Sequence, residues 1–242
     1  MQFFYVLVDG DTWKKASKSI KNTPTFKSTL NRKYNEWNNN KIFKNVHESI
    51  LDEYMKTHEI KEAYIDSTDL KNENCERIYT SKSLKLSKQA IKLTFISDQN
   101  QVPISKPLLD KPHVHDSKRT IDAIMTLNIN NEKQTILGGD KAYILNKSVR
   151  NALLKSNGIR LVTPKKEYKK KEYKTKNYNR KISRIRHSKQ MKLVLKHRIT
   201  IEHTNNLIHR SFKRLDKVYD KSYTTLLGFI YIAFATIALW KS

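Results

Sequence analysis

The segment AYIDST at residues 63–68 decides the fold, because it sets one carboxylate, Asp66, in a short apolar run that is typical of a β-strand. Two other segments carry a carboxylate in a similar setting. GGDKAYIL at 138–145 places Asp140 after a strand-like run, and RITIEHTNN at 198–206 places Glu202 in a helix-like run. We expect Asp66 and Asp140 at the carboxyl ends of their strands, where open α/β sheets tend to hold their sites.

The charge balance of the chain is strongly basic. Among its 242 residues, 48 are Lys or Arg and 23 are Asp or Glu, which gives a formal net charge of +25. A basic surface attracts polyanions, so nucleic acid is the favoured large partner and an anionic membrane surface is the alternative. The single cysteine, Cys75, excludes an internal disulfide framework and a cysteine-based zinc site.

Hydrophobic periodicity divides the chain into two parts. Residues 1–58 repeat apolar side chains at helical intervals and predict a small N-terminal helical subdomain. Residues 59–242 predict the order strand, hairpin, helix, strand, helix, strand, then a basic insertion near 165–188 and further helices. This order predicts an α/β domain with a mixed sheet flanked by helices.

The C-terminal run from Leu226 to Trp240 is apolar but only 15 residues long, shorter than the roughly 20 residues that span a bilayer. We therefore expect a helix that packs against the core, with most of its circumference covered by protein and no stable membrane insertion. A helix that faces a membrane or a partner protein is the alternative.

The three carboxylates suit a magnesium site. Magnesium prefers carboxylate oxygens and retains several waters, so Asp66, Asp140 and Glu202 would suffice for two Mg²⁺ ions, with Mn²⁺ as a possible substitute. Spacing alone does not select these three, and other acidic residues remain open as ligands: Asp69, Asp98 and Asp116. Each of the three carboxylates also has a structural alternative. Asp66 would cap a strand end, Asp140 would form a turn after two glycines, and Glu202 would be a surface charge on a helix.

A second group of possible ligands follows the hairpin. His113 and His115 precede Asp116 and together mimic part of a metal site. A surface turn is the favoured interpretation, because only one or two ligands would converge there.

The segment from Lys165 to Arg198 holds fifteen Lys or Arg and only two Glu. This charge suits the neutralisation of phosphates, and tyrosines at every fifth position could stack on unpaired bases. A solvated loop is the alternative. The tyrosines are Tyr168, Tyr173 and Tyr178, and the candidate DNA-binding residues here are Lys165, Lys166, Lys169, Lys170, Lys171, Arg180, Arg184 and Arg186.

Two further DNA-binding candidates lie on the predicted helix of Glu202. Arg198 precedes Glu202 by four residues, so both side chains share a helix face. Arg198 could bind a phosphate through two hydrogen bonds, or it could form an ion pair with Glu202. Asn205 is interpreted as a polar residue near the DNA.

Almost the whole chain resembles the DDE-domain transposases of bacterial insertion sequences. YIDST and GGDKAY resemble the strand segments that carry the first and second catalytic Asp, and RITIEHTNNLIHRSFKRL resembles the helix with an Arg followed by the catalytic Glu. FFYVLVDGDTWKKA and STLNRKYNEWNNNKIFKNV resemble the family's N-terminal helices, and PHVHDSK resembles the segment before its first core helix.

The resemblance implies a ribonuclease-H-like fold, a divalent metal cofactor and an enzyme that cuts DNA at transposon ends and joins it to a target. It assigns catalysis and metal binding to Asp66, Asp140 and Glu202. DNA is then the partner, a homodimer is expected in the DNA complex, and the location is intracellular, in the cytoplasm or nucleoid if the source is bacterial. The alternatives are a metal-dependent nuclease on the same fold and a domesticated or decayed transposase that only binds DNA.

Three features differ from the family pattern. His209 stands seven residues after Glu202, where a basic residue is frequent, and Leu195 stands three residues before Arg198, where tyrosine is frequent. The chain also begins inside the family's N-terminal region, so we expect an N-terminally short member.

Overall fold

The computed structural model describes residues 2–18, 27–71, 90–127, 134–164, 189–220 and 222–242. The helices are α1 (Gln2–Val8), α2 (Trp13–Lys18), α3 (Lys27–Asn39), α4 (Ile42–Thr57), α5 (Ser117–Met125), α6 (Lys147–Asn157), α7 (Lys189–His197), α8 (Ile199–Ser211), α9 (Lys213–Asp216) and α10 (Tyr223–Lys241). The strands are β1 (Glu62–Lys71), β2 (Ala90–Asp98), β3 (Leu108–Asp110), β4 (Thr135–Gly138) and β5 (Ile159–Val162). Cys75 and the predicted basic segment at 165–188 lie outside the described residues.

The strands form one mixed sheet in the order β3-β2-β1-β4-β5. β1, β2 and β3 pair antiparallel, whereas β1, β4 and β5 run parallel. The predicted hairpin corresponds to β2 and β3, and α5 and α6 provide the connections that parallel strands require. The predicted α/β class and the mixed sheet flanked by helices are therefore confirmed.

Strand β1 is longer than its parallel neighbour. It pairs with β2 over nine residue pairs, from Ala63 with Asp98 to Lys71 with Ala90, but with β4 over only three. Asp66 is therefore the fifth of ten strand residues, and the expectation that it ends its strand is wrong. The long antiparallel pairing continues β1 past the point where β4 stops.

One hydrophobic cluster joins the N-terminal helices to the sheet. It includes Tyr34 and Phe43 from α3 and α4, Tyr64 and Phe95 from the sheet, and Phe229 from α10. The aromatic ring of Tyr34 stacks on that of Phe229 with a centroid distance of 4.5 Å. The predicted division into 1–58 and 59–242 stays a prediction, and apolar side chains from both sides of that boundary share this cluster.

Helix α10 packs against α3 through a close contact at Gly228. A Cβ atom at this position would lie 2.5 Å from the hydroxyl oxygen of Tyr34 and 2.6 Å from Oδ1 of Asn38. The absence of that atom lets Tyr34 donate a hydrogen bond to the Thr225 carbonyl and Asn38 donate one to the Thr224 carbonyl, both at 2.6 Å. Glycine therefore sets how closely α3 and α10 approach.

Protein covers much of α10, as expected, but not its end. The sequence from Leu226 to Ala238 contributes nine buried residues, among them Phe229 and Phe234. Trp240 is 53% exposed, and its ring stacks on that of Phe212 with a centroid distance of 5.7 Å. Among the described residues, α10 is also the one helix long and apolar enough to cross a membrane. The expectation of no membrane insertion stays a prediction.

Candidate active site

Asp66 lies within β1, and Asp140 lies at the equivalent position two residues past the end of the neighbouring parallel strand β4. The last pair between β1 and β4 is Tyr64 with Gly138, and each aspartate follows its member of that pair by two residues. Gly138 permits this arrangement, because a Cβ atom there would lie 2.7 Å from the Tyr64 ring and 2.9 Å from a methyl group of Val194. The two carboxylates therefore lie where β1 and β4 separate.

Asp66 is a carboxyl group in an unfavourable position for its charge. Burial raises its pKa to about 6, and the negative charge of Asp140 adds to this rise. The Ser67 backbone, the positive charge of Arg198 and a hydrogen bond from Asn205 oppose it. The interaction between the two carboxyl groups indicates that their charges lie near each other with incomplete compensation.

Asp140 begins a short 3-10 helix, Lys141–Tyr143, and its Oδ1 accepts a hydrogen bond of 2.6 Å from the backbone N–H of Ala142. Asp140 thus has the structural role considered for it, a turn after two glycines. The same residue lines an open cavity of about 410 Å³ with Lys141, Pro164, Leu195 and Arg198. The turn fixes the carboxylate at the edge of this basic cavity.

Helix α8 carries the third carboxylate. Arg198 Nη2 lies 3.0 Å from Oε1 of Glu202, so the ion pair between these two side chains is formed. Glu202 remains 49% exposed. Asn205 lies one turn further along α8, and its Nδ2 donates a hydrogen bond of 3.0 Å to Oδ2 of Asp66. Through this hydrogen bond, the helix face that carries Glu202 and Asn205 lies beside Asp66 of β1.

A divalent cation fits part of this arrangement. Among the described residues, no group of three His, Cys, Asp or Glu side chains could hold a metal ion. Magnesium needs only one or two carboxylates when waters and other oxygens complete its shell, and Asp66 and Asp140 supply two. Oδ1 of Asn205 is buried and has no hydrogen-bond partner in the described part of the chain. The assignment of Asp66, Asp140 and Glu202 as ligands stays a prediction.

The alternative acidic ligands have structural partners. Oδ1 of Asp98 accepts hydrogen bonds of 2.9 Å from the backbone N–H groups of Asn100 and Val102, which form the hairpin turn. Asp116 forms an ion pair of 2.8 Å with Lys92. Asp69 is exposed on β1.

The two histidines before α5 lie in a turn, as the favoured interpretation has it. His115 makes a hydrogen bond of 2.8 Å with the hydroxyl of Ser117 at the start of that helix. His113 and His115 form no metal site with other described residues.

Residues 7–238 match the protein family described as Transposase DDE domain. The chain belongs to the DDE transposase family. A comparison with curated proteins gives no significant match.

A solved transposase structure shares the fold. The piggyBac transposase, determined by cryo-EM as a synaptic complex with hairpin DNA, has a TM-score of 0.51 and 11% sequence identity. The match covers 73% of this chain but 45% of the piggyBac chain, so this chain spans less than half of that protein. This likeness and the sheet described above confirm the expected ribonuclease-H-like fold.

The crystal structure of the Mos1 strand transfer complex also matches, at 15% identity over 63% of this chain and 53% of the Mos1 chain. Its TM-score of 0.25 is too low for an argument about the fold.

The sequence of this DDE transposase family member signals part of the site and misses two contacts. The hydrogen bond between Asn205 and Asp66 was not predicted, although Asn205 follows Glu202 by three residues and therefore shares its helix face. His209 stands out in the sequence only as a departure from the family pattern. Its Nε2 makes a hydrogen bond of 2.9 Å with the Thr68 hydroxyl, and burial lowers its pKa.

Proposed function

We propose that the chain is a DNA transposase that cleaves donor DNA at transposon ends and transfers the freed 3′ hydroxyl to target DNA. The observation that carries the proposal is the pair Asp66 and Asp140, two interacting carboxyl groups that each lie two residues beyond the last pair between β1 and β4 in a DDE transposase family member. The reaction is hydrolysis of a phosphodiester followed by transesterification. It needs no covalent bond between protein and DNA.

Asp66 and Asp140 are the proposed ligands of a divalent cation, with Glu202 as the third carboxylate. When bound, Mg²⁺ or Mn²⁺, as a pair of ions, supplies activation of the attacking oxygen and stabilisation of the leaving oxygen. The side chains of the site position the DNA phosphate that reacts. Arg198, which is paired with Glu202 and lines the cavity of Asp140, is placed to bind a phosphate once DNA enters.

The DNA partner follows from charge. The formal net charge of +25 supports binding of a polyanion, and the basic segment at 165–188 leads into α7 and α8, which flank the site. We propose that Lys165, Lys166 and the other basic candidates of that segment contact phosphates. A homodimer in the DNA complex and an intracellular location, in the cytoplasm or nucleoid if the source is bacterial, belong to the same proposal.

Two assays separate this function from its alternatives. Magnesium-dependent nicking of donor DNA distinguishes an enzyme from a protein that only binds DNA. Joining of the cut end to a second DNA molecule distinguishes a transposase from a nuclease on the same fold. We expect both products with the wild-type chain. Nicking without joining would support the nuclease, and DNA binding without nicking would support the decayed transposase.

A further inference from the structure

Asn205 differs from the other polar side chains near Asp66 because only half of its amide is used. Its Nδ2 donates to Oδ2 of Asp66 at 3.0 Å. Its Oδ1 is buried, and the residues that the structure describes offer it no hydrogen-bond partner. A buried amide oxygen without a partner costs free energy, and native proteins rarely keep one unless water, an ion or a ligand contacts it.

The orientation of this amide follows from its neighbour. A carboxylate only accepts hydrogen bonds, so the NH₂ group of Asn205 must face Asp66 and the oxygen must point elsewhere. The opposite orientation would set two acceptors against each other. The unused acceptor therefore lies within one side-chain length of Asp66, a residue whose carboxyl group also interacts with Asp140.

We propose that Asn205 is a positioning residue of the cation site: Nδ2 orients Asp66, and Oδ1 supplies a further oxygen for the hydrated divalent cation held by Asp66 and Asp140. This inference rests on the proposed function and changes the role of Asn205 from a DNA contact to a part of the cation site. Amide oxygens are ordinary partners of hard cations and of the water around them. A hydrogen bond that fixes a ligand carboxylate also tightens metal binding.

The ion pair of Glu202 with Arg198 is compatible with such a role for Asn205. Its Oε1 is engaged by Arg198, and the described residues form no group of three acidic or histidine ligands. An amide oxygen on the same helix face therefore complements the two aspartates in the state without DNA. The proposal thus concerns cation binding to the free protein, which can be measured without any catalytic assay.

The test uses the full 242-residue chain and Mn²⁺, with bound and free ion distinguished by electron paramagnetic resonance in the absence of DNA. Asn205→Leu removes both polar atoms and keeps the number and branching of the side-chain heavy atoms, and Asn206→Ala changes the next, exposed residue as the control. We expect Asn205→Leu to raise the Kd for Mn²⁺ about tenfold. Asn206→Ala should bind Mn²⁺ like the wild type. Unchanged Mn²⁺ binding by Asn205→Leu would overturn the proposal.

A second readout separates cation binding from DNA contact. In EDTA, Asn205→Leu should bind DNA like the wild type, because its role does not involve phosphates. A loss of DNA affinity in EDTA with normal Mn²⁺ binding would make Asn205 a DNA contact and overturn the inference. If Asn205→Leu does not fold, as judged by thermal unfolding in EDTA, Asn205→Ala serves the same comparisons.

Asp66→Asn keeps this inference distinct from the proposed function. Loss of Mn²⁺ binding in Asp66→Asn with normal binding in Asn205→Leu would reject only the role of Asn205. Normal Mn²⁺ binding and normal strand cleavage by Asp66→Asn would reject the cation site as a whole.

Discussion

Arg198, the residue just before α8, and Glu202 in the first turn of that helix form an ion pair with 3.0 Å between Nη2 and Oε1. The same Arg198 lines the cavity of Asp140, and its positive charge lowers the pKa of Asp66. One guanidinium therefore pairs with Glu202, acts on the charge of Asp66 and lines the same cavity as Asp140. Such a position suits a side chain that exchanges a carboxylate partner for a phosphate when DNA binds.

Arg198→Ala should weaken DNA binding on all sequences alike and reduce the salt dependence of log K by about one unit, as expected when one phosphate is no longer neutralised. Its effect on stability should be small, because partly exposed ion pairs contribute roughly 0–1 kcal/mol. Glu202→Gln is the matched control, since it breaks the same ion pair but keeps the positively charged guanidinium of Arg198. Equal effects of both variants on the salt dependence would mean that Arg198 serves only the ion pair.

Replacing Lys169, Lys170 and Lys171 together with Ala should lower DNA affinity and reduce the salt slope by roughly one unit for each phosphate that these lysines neutralise. Lys56→Ala on α4 is the control, because this exposed lysine pairs with Glu53 and lies outside the basic segment. Affinity is measured at several salt concentrations. An unchanged slope in the triple variant would show that these lysines do not bind phosphates.

His47 should make the protein sensitive to mild acid. It is 1% exposed, and burial lowers its pKa to about 4, against smaller opposing contributions from Glu48 and the Pro103 backbone. Between pH 6.5 and 4 the unfolded chain binds a proton that the folded chain does not, so stability falls as the pH falls through this window. The loss should reach roughly 3 kcal/mol.

His47→Leu tests this assignment by denaturant unfolding at about pH 7 and at about pH 4.5, on either side of most of that window. Leucine replaces the buried imidazole with an apolar side chain that does not titrate, so the variant lacks the proton uptake of His47 on unfolding. The wild type should lose more stability than the variant between the two pH values. Equal losses would contradict a neutral buried His47.

Phe234→Ala in α10 should lower the free energy of unfolding by about 3–5 kcal/mol, because a fully buried aromatic side chain leaves a cavity. Phe234 is 0% exposed, and its ring lies 5.2 Å from that of Phe95 on the sheet. Trp240→Ala is the control and should cost much less, since Trp240 is 53% exposed. Comparable losses in the two variants would mean that the end of α10 is covered in solution.

The sequence predicted the order of the elements because hydrophobic periodicity and turn residues are local signals. It also placed Asp66 and Asp140 on segments that form neighbouring parallel strands, because both segments carry apolar runs typical of strands. It did not predict that β1 continues beyond Asp66. That length depends on nine pairs with β2, and strand pairing involves residues distant in the sequence.

Among the contacts of the candidate site, the sequence likewise indicated one within a helix and missed one between distant segments. The spacing of Arg198 and Glu202 allowed their ion pair to be considered, because residues four apart meet on a helix. The hydrogen bond between Asn205 and Asp66 joins residues 139 positions apart, and only the packing of α8 on β1 creates it. The exposure of Trp240 likewise depends on where the covering elements end, which composition does not encode.

The most direct test of the account is magnesium-dependent cleavage of a DNA duplex that carries the DNA flanking the gene on either side. The wild-type chain is compared with Asp66→Asn and Asp140→Asn, each of which removes a proposed metal ligand without adding bulk. We expect both variants to lose strand cleavage while they bind the duplex in EDTA like the wild type. Cleavage by either variant at the wild-type rate in Mg²⁺ would contradict the assignment of that aspartate and the proposed catalytic site.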